Sequence, residues 1–257
     1  MPASHASASM FQQHAARVLR RAGVRPLPAG GVLVLLFDSS RWQPWTDGTL
    51  ALLSPAEQER SRRFRLAQHR DIFLLAHAMW RLALACVLDC TVQDVTLAFA
   101  LHGQPQLPGT PYATSLSHSG THVAIGIGHT AILGVDIEQS PPRAPLRELA
   151  GEICTPDEAA TINALAYEQR EPALLALWTR KEALLKAFGV GLRSAPSMTS
   201  APAGPLIDPP APASALPPCR VHPLQLQHGL LGALAAPANV EGFAQYWLDP
   251  SPASPTQ

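Results

Sequence analysis

Two short stretches constrain the plan of this chain more than any others. Ser54-Pro55-Ala56-Glu57 and Thr155-Pro156-Asp157-Glu158 carry the same device. A hydroxyl residue caps, a proline fills the first helical turn, and a glutamate three residues on closes a capping box. Each therefore opens a helical region. The first runs through Phe64 and Phe73-Leu74-Leu75 to about Leu88, in one or two pieces, and the second leads to Trp178–Gly189. Trp80-Arg81 in the first region precedes Trp178 in the second by 98 residues, an echo of one half in the other. Short apolar runs of strand length lie before and between these helices, at Gly31–Phe37, Thr96–Leu101, Val123–Gly128 and Ala131–Glu138. The last two, joined by Gly-His-Thr, read as a hairpin. Leu230–Ala235 and Gly242–Leu248 read as closing strands. The expected class is α+β, in two similar α/β halves, 1–128 and 129–257, each a small, mostly antiparallel sheet packed on a long helix. Residues 1 to about 25 read as a frayed terminus or marginal helix. Ser194–Pro218, dense in Pro, Ala and Ser, reads as a disordered loop, and Asp249–Gln257 as a disordered tail.

A chain of 257 residues with 47% apolar content and zero formal charge suits a soluble globular protein and argues against a nucleic-acid binder working through bulk positive charge. Cys86, Cys90, Cys154 and Cys219 form no CxxC pair and no metal-finger spacing, as expected of idle thiols in a reducing compartment. No cationic start precedes an apolar run at the N-terminus, and no uninterrupted apolar segment approaches 18 residues. A cytoplasmic protein without a membrane span is expected.

Chemistry concentrates in a few places. The chain has 17 Arg and only two Lys, Lys181 and Lys186, both in Trp178-Thr179-Arg180-Lys181-Glu182-Ala183-Leu184-Leu185-Lys186-Ala187-Phe188-Gly189. Lys and Arg are not interchangeable at a phosphate or proton-transfer site. Glu182 and Lys186, four apart, share one helical face, while Leu184, Leu185 and Phe188 form an apolar stripe and Gly189 is placed to end the helix. Asp136 and Glu138, two apart on a strand, point to the same face, where Mg²⁺ is the simplest counter-ion. His118, among hydroxyls in Ser115-Leu116-Ser117-His118-Ser119-Gly120, reads as a neutral hydrogen-bonding group or phosphate contact. Arg60, Arg62, Arg63, Arg65 and Arg70 crowd one helix and form either a solvated face or a seat for a polyanion.

Gly134-Val135-Asp136-Ile137-Glu138, followed after about forty residues by the Trp178–Lys186 stretch, resembles the two-part signature of 4′-phosphopantetheinyl transferases. Ser117-His118-Ser119-Gly120 and Gly189-Val190-Gly191-Leu192 resemble two further motifs of that family. The length and the two similar halves look like its longer, pseudo-dimeric type, which activates peptide, polyketide and fatty-acid synthases. That type implies halves related by pseudo-two-fold symmetry in a monomer. The resemblance implies transfer of the phosphopantetheine arm of coenzyme A to a serine of an apo acyl- or peptidyl-carrier protein, releasing adenosine 3′,5′-bisphosphate. Asp136, Glu138 and Glu182 would then hold Mg²⁺. Lys186 and His118 would contact the coenzyme A phosphates with Ser117 beside them, and Arg60 and Arg63 would lie near its 3′-phosphate. Catalysis would fall to Glu182, as general base, and Lys186. The family commonly has Gly-Lys-Pro where this chain has Gly103-Gln104-Pro105. Two other readings remain open on the residues, a Mg²⁺-dependent hydrolase of coenzyme A or a related nucleotide, and a non-catalytic module binding coenzyme A or a carrier.

Overall fold

A continuous apolar run, unlike an alternating one, needs burial on both faces, and Val32–Phe37 finds it at the centre of the molecule. In the computed structural model, which describes residues 2–191, 195–227 and 229–251 and the side chains from residue 7 onward, the chain begins with helix α1 (Pro2–Arg21). Strand β1 (Val32–Asp38) and the short α2 (Ser39–Trp42) follow, then α3 (Pro55–Arg62), α4 (Ala67–Leu88) and the two-residue strands β2 (Ala98–Phe99) and β3 (Pro105–Gln106). Next come β4 (Ala113–Ser119), β5 (His122–Gly128), β6 (Gly134–Gln139), α5 (Ala150–Ile153), α6 (Pro156–Asn163) and α7 (Tyr167–Phe188). Strands β7 (Leu206–Ile207), β8 (Cys219–Pro223), β9 (Leu230–Pro237) and β10 (Ala244–Trp247) complete the fold.

The large strands make two four-stranded sheets, ordered β10-β1-β5-β4 and β6-β9-β8-β7. All pairings are antiparallel except β1–β10, so residues 244–247, counted with the C-terminal half on sequence, complete the sheet of the N-terminal half. The pleat sorts β1 into two cores. Leu33, Leu35 and Phe37 face α1 and α4, while Val32, Val34 and Leu36 meet Val135, Ile137, Leu234 and Ala236 of the other sheet. On the far side of that second sheet, Ala233, Ala235 and Val221 pack on Leu174, Leu177, Leu184 and Phe188 of α7. The order of layers is helices, sheet, sheet, helix. The mixed α+β class is therefore as the pattern of runs predicts.

Both capping boxes form as read, Ser54 with Glu57 and Thr155 with Glu158. The first helical region does divide in two, as α3 and α4. By length and composition α4 could cross a membrane, but its most apolar window is 83% buried inside the protein, which makes it a core helix. All four cysteines are free.

Four local expectations are corrected. The hairpin of Val123–Gly128 with Ala131–Glu138 does not form. Strand β5 spends one edge on β1 and the other on β4, leaving none for β6, which pairs with β9. The N-terminal segment is the helix of its two readings, α1, but neither frayed nor marginal over its inner face, since Phe11, Ala15 and Leu19, four apart, are fully buried against the first core. The strand at Thr96–Leu101 shrinks to Ala98–Phe99. The Pro- and Ala-rich segment, of which Ser194 lies outside the described residues, is not a disordered loop over 195–218. Its Ala201 and Ala213 are buried and Ile207 pairs with Cys219 on β8, because helix side chains from α7 capture its carbonyls. Arg180 Nε donates to Ala201 O at 2.8 Å and Lys181 Nζ to Pro196 O at 2.9 Å. Of the tail, Asp249 is tied to Arg41 at 2.7 Å, and residues 252–257 lie outside the described residues.

Candidate active site

The site begins with a missing side chain. Gly134 opens β6 so close to α7 that a Cβ there would lie 1.9 Å from Ala183 O and 2.5 Å from Ala187 N. With no Cβ to exclude the helix, β6 and α7 touch backbone to backbone. Val135 and Ile137 of β6 turn into the inter-sheet core, so Asp136 and Glu138 turn the other way, as the two-residue period requires. On α7, Leu184, Leu185 and Phe188 are buried and Gly189 ends the helix in the left-handed conformation (φ 65°), as expected. Trp178, Glu182 and Lys186, at intervals of four, then share the face that lines a cleft of about 1060 Å³.

Polar contacts in this corner are specific. Lys186 Nζ lies 2.7 Å from Asp136 Oδ1 and 3.2 Å from Val135 O. Trp178 Nε1 donates to Glu138 Oε1 at 3.4 Å. From β4 a row of alternate serines meets alternate amides of β6. Val135, Ile137 and Gln139 N–H donate to Ser115, Ser117 and Ser119 Oγ at 3.0, 3.4 and 3.0 Å. Two of these hydroxyls in turn donate hydrogen bonds to the carboxylates, Ser117 to Asp136 Oδ1 at 2.7 Å and Ser119 to Glu138 Oε2 at 2.9 Å. The serines thus stitch the edges of the two sheets and orient both acids.

Three carboxylates crowded under the surface disturb one another. Burial, then the negative charge of Asp136, raises the pKa of Glu182 to about 7, with Lys186 opposing and Glu138 adding. Burial and Asp136 likewise raise Glu138. Burial and the positive charges of Lys186 and Arg143 lower His118, which is neutral at pH 7. Asp136 Oδ2 and Glu182 Oε1 are buried with no hydrogen-bond partner among the described residues. As the side chains stand, no group of three His, Cys, Asp or Glu among the described residues is gathered tightly enough to hold a metal. The donor set nevertheless fits a hard divalent cation, being all carboxylate oxygen, two of its atoms buried and unsatisfied, with charge that repels itself.

Arg60, His118, Glu138, Glu182 and Lys186 all line the cleft. Arg60 reaches it with its guanidinium 5.3 Å from the Phe73 ring centroid. Ser117 and Asp136 lie just beneath the wall, buried. Arg63 is not brought to the cleft; it points to solvent, 3.8 Å from Glu59. Of the two lysines only Lys186 belongs to the site. Lys181 is buried in an ion pair with Glu158 at 2.5 Å. Sequence reasoning missed the roles of Trp178, Ser115 and Ser119. The signal was there, in the spacing of Trp178 one turn before Glu182 and in the alternation of Ser115, Ser117 and Ser119. The Arg-rich helix also conceals a structural element, since Glu57 accepts from Arg81 Nε at 2.7 Å and pairs with His77 Nδ1 at 2.8 Å, all three buried.

Residues 132–213 match the family model described as the 4′-phosphopantetheinyl transferase superfamily. The chain is 32% identical over 153 residues to a putative 4′-phosphopantetheinyl transferase of Synechocystis sp., covering 58% of this chain and 62% of that protein. It is 32% identical over 147 residues to the 4′-phosphopantetheinyl transferase HetI of Nostoc sp., covering 55% of this chain and 62% of HetI. With the 4′-phosphopantetheinyl transferase ffp of Bacillus subtilis it shares 26% identity over 159 residues, 62% of this chain and 70% of ffp. The similarity thus spans less than two thirds of the first two relatives. The segment that carries Asp136, Glu138, Glu182 and Lys186 lies within the residues matched by the model of the 4′-phosphopantetheinyl transferase superfamily.

Proposed function

We propose that this protein transfers the 4′-phosphopantetheine arm of coenzyme A to a serine hydroxyl of an apo carrier protein. The observation that carries the reading is the convergence of Glu138, Glu182 and Lys186 on a cleft that Arg60 and His118 also line, with Asp136 buried beneath it against Lys186. A single chain supplies all of these residues.

Asp136, Glu138 and Glu182 would hold Mg²⁺, which when bound neutralises pyrophosphate charge. Lys186, already seated against Asp136, can place a compact positive charge on the same phosphate oxygens. Arg60 offers a fork for a further phosphate, and neutral His118 offers an uncharged donor. The carrier Ser Oγ attacks the phosphorus on the pantetheine side of the pyrophosphate. Its bond to the bridging oxygen breaks, adenosine 3′,5′-bisphosphate departs with that oxygen, and the serine proton passes to Glu182. A carboxylate lining the cleft is chemically suited to accept that proton. Trp178, Ser117 and Ser119 keep Glu138 and Asp136 oriented meanwhile.

The test mixes protein, Mg²⁺, coenzyme A and an apo carrier domain, and weighs the carrier. A phosphopantetheine mass increment supports transfer. Consumption of coenzyme A with the carrier unchanged points to a hydrolase, and binding without either product to a non-catalytic module. Glu182→Gln should stay folded and lose transfer; turnover near that of the parent would remove Glu182 from the mechanism.

A further inference from the structure

Helix α7 ends under a hairpin from the other half of the chain. The last four carbonyls of a helix have no partner within it, and Gly189 N–H satisfies that of Lys186 only at 3.3 Å. The carboxamide of Gln104 adds two bonds from outside the helix, its Nε2 donating to Ala187 O at 2.9 Å and to Lys186 O at 3.3 Å. Gln104 is held for this by a tight turn in which Gly103 N–H donates to Ala100 O at 2.8 Å and Ala100 N–H to Gln104 O at 2.9 Å. Flanking β2 and β3 pair antiparallel, and Phe99, next to the turn, meets Trp80 of α4 edge-on at 6.4 Å. Space is reserved on the helix side as well. A Cβ at Gly189 would stand 2.3 Å from Gln104 Oε1.

Resting on the transferase reading, we propose that Gln104 is a positioning residue for Lys186. It ties the backbone of Lys186 to the half of the molecule that carries Arg60 and His118, and so fixes where the ammonium stands relative to those two residues, which line the same cleft. What this position requires is a hydrogen-bond donor of this reach. A neutral carboxamide meets that need, and so would a lysine ammonium aimed at the same carbonyls, where the negative end of the helix dipole favours a cation. The role differs from direct contact with ligand, because it acts on the main chain of α7 and needs no charge.

Gln104→Met keeps the length and removes the donor. Calorimetric titration with coenzyme A should show binding weakened by roughly tenfold, the equivalent of one net hydrogen bond. In a Lys186→Ala background the same change should weaken binding by less than about twofold, since the group being positioned is gone. Equal penalties in both backgrounds would overturn the proposal, as would no penalty in either. A readout that needs no ligand accompanies it. Amide hydrogen exchange at Gly189 and Val190, which close the end of α7 onto Lys186 O and Leu185 O, should quicken by roughly tenfold in Gln104→Met and return towards the parent rate in Gln104→Lys. Unchanged exchange in the Met variant would overturn the clamp itself. Should the parent protein fail to bind coenzyme A while exchange behaves as stated, the clamp stands and the transferase reading falls.

Discussion

Gly134→Ala is the smallest change that should damage fold and chemistry together. The added Cβ would meet Ala183 O at 1.9 Å and Ala187 N at 2.5 Å. Both neighbours are backbone atoms of a helix whose Ala183 and Ala187 are fully buried, so no side chain can swing aside. An ordinary contact begins at about 3.4 Å, and β6 or α7 must therefore give on the order of 1.5 Å. Overpacking of this kind costs ~1–3 kcal/mol and sometimes more, and rigid backbone on both sides argues for the upper end, about 3 kcal/mol. For a domain of this size that is roughly a 6–12 °C fall in Tm. The displacement would also separate Lys186 Nζ from Val135 O and Asp136 Oδ1, now 3.2 and 2.7 Å away. Misplacement of about 1 Å can cost about 10²-fold in rate. Denaturant unfolding and carrier-mass kinetics on one preparation measure both losses. Gly126→Ala is the control. Its Cβ would press on the tip of the Leu133 side chain at 2.8 Å, which can shift, and touch Val135 at an ordinary 3.5 Å, so it should cost about 1 kcal/mol or less. A Gly134→Ala protein as stable and as active as its parent would refute the claim that this close approach builds the site.

Further outcomes follow from the division of labour among the charged groups. Lys186→Arg should lose most transfer activity while remaining folded, because the broader guanidinium cannot occupy the seat between Val135 O and Asp136; full turnover in the carrier-mass assay would show that only diffuse charge is needed. Lys181→Met should do the reverse, costing ~3–5 kcal/mol in urea unfolding by leaving the Glu158 carboxylate without its buried cation. Acid should unfold the protein partly through Glu57. Burial would raise its pKa, but hydrogen bonds from His77 and Ser54 hold it at about 2, below the 4.5 of the free side chain. Its contribution, ~3 kcal/mol, is therefore present above about pH 4.5 and lost as pH falls from 4.5 towards 2. A Glu57→Gln protein with the same pH-dependent loss over that window would show that Glu57 is not the source.

Elements whose cause is local were legible in the sequence. The two capping boxes, the Gly189 stop and the continuous run of β1 each depend on residues within a turn or two of one another. The pairing of strands was not, because it is settled by competition for edges. Val123–Gly128 and Ala131–Glu138 look like a hairpin until β1, fixed ninety residues earlier, claims one edge of β5. Composition misled over 195–218 for a related reason. Pro and Ala bury little area themselves, but two cations on a helix earlier in the chain, Arg180 and Lys181, draw their carbonyls onto α7. Nothing within the segment announces those partners.

The site divides along the same line. Spacing alone put Asp136 with Glu138 and Glu182 with Lys186, since a strand repeats every two residues and a helix every four or so. That the two pairs share a corner depends on Gly134, whose significance lies in the helix it touches and not in its neighbours in sequence. The scarcity of lysine was informative about importance and silent about kind. Lys181 and Lys186, five residues apart, point to nearly opposite sides of α7, one to a buried strut with Glu158 and the other to the cleft. A helical turn of 3.6 residues makes five positions a rotation of about 140°, so a single α-helix could not have offered both cations to one ligand. The chemistry had to rest on one of them, and the face shared with Trp178 and Glu182 decides that it is Lys186.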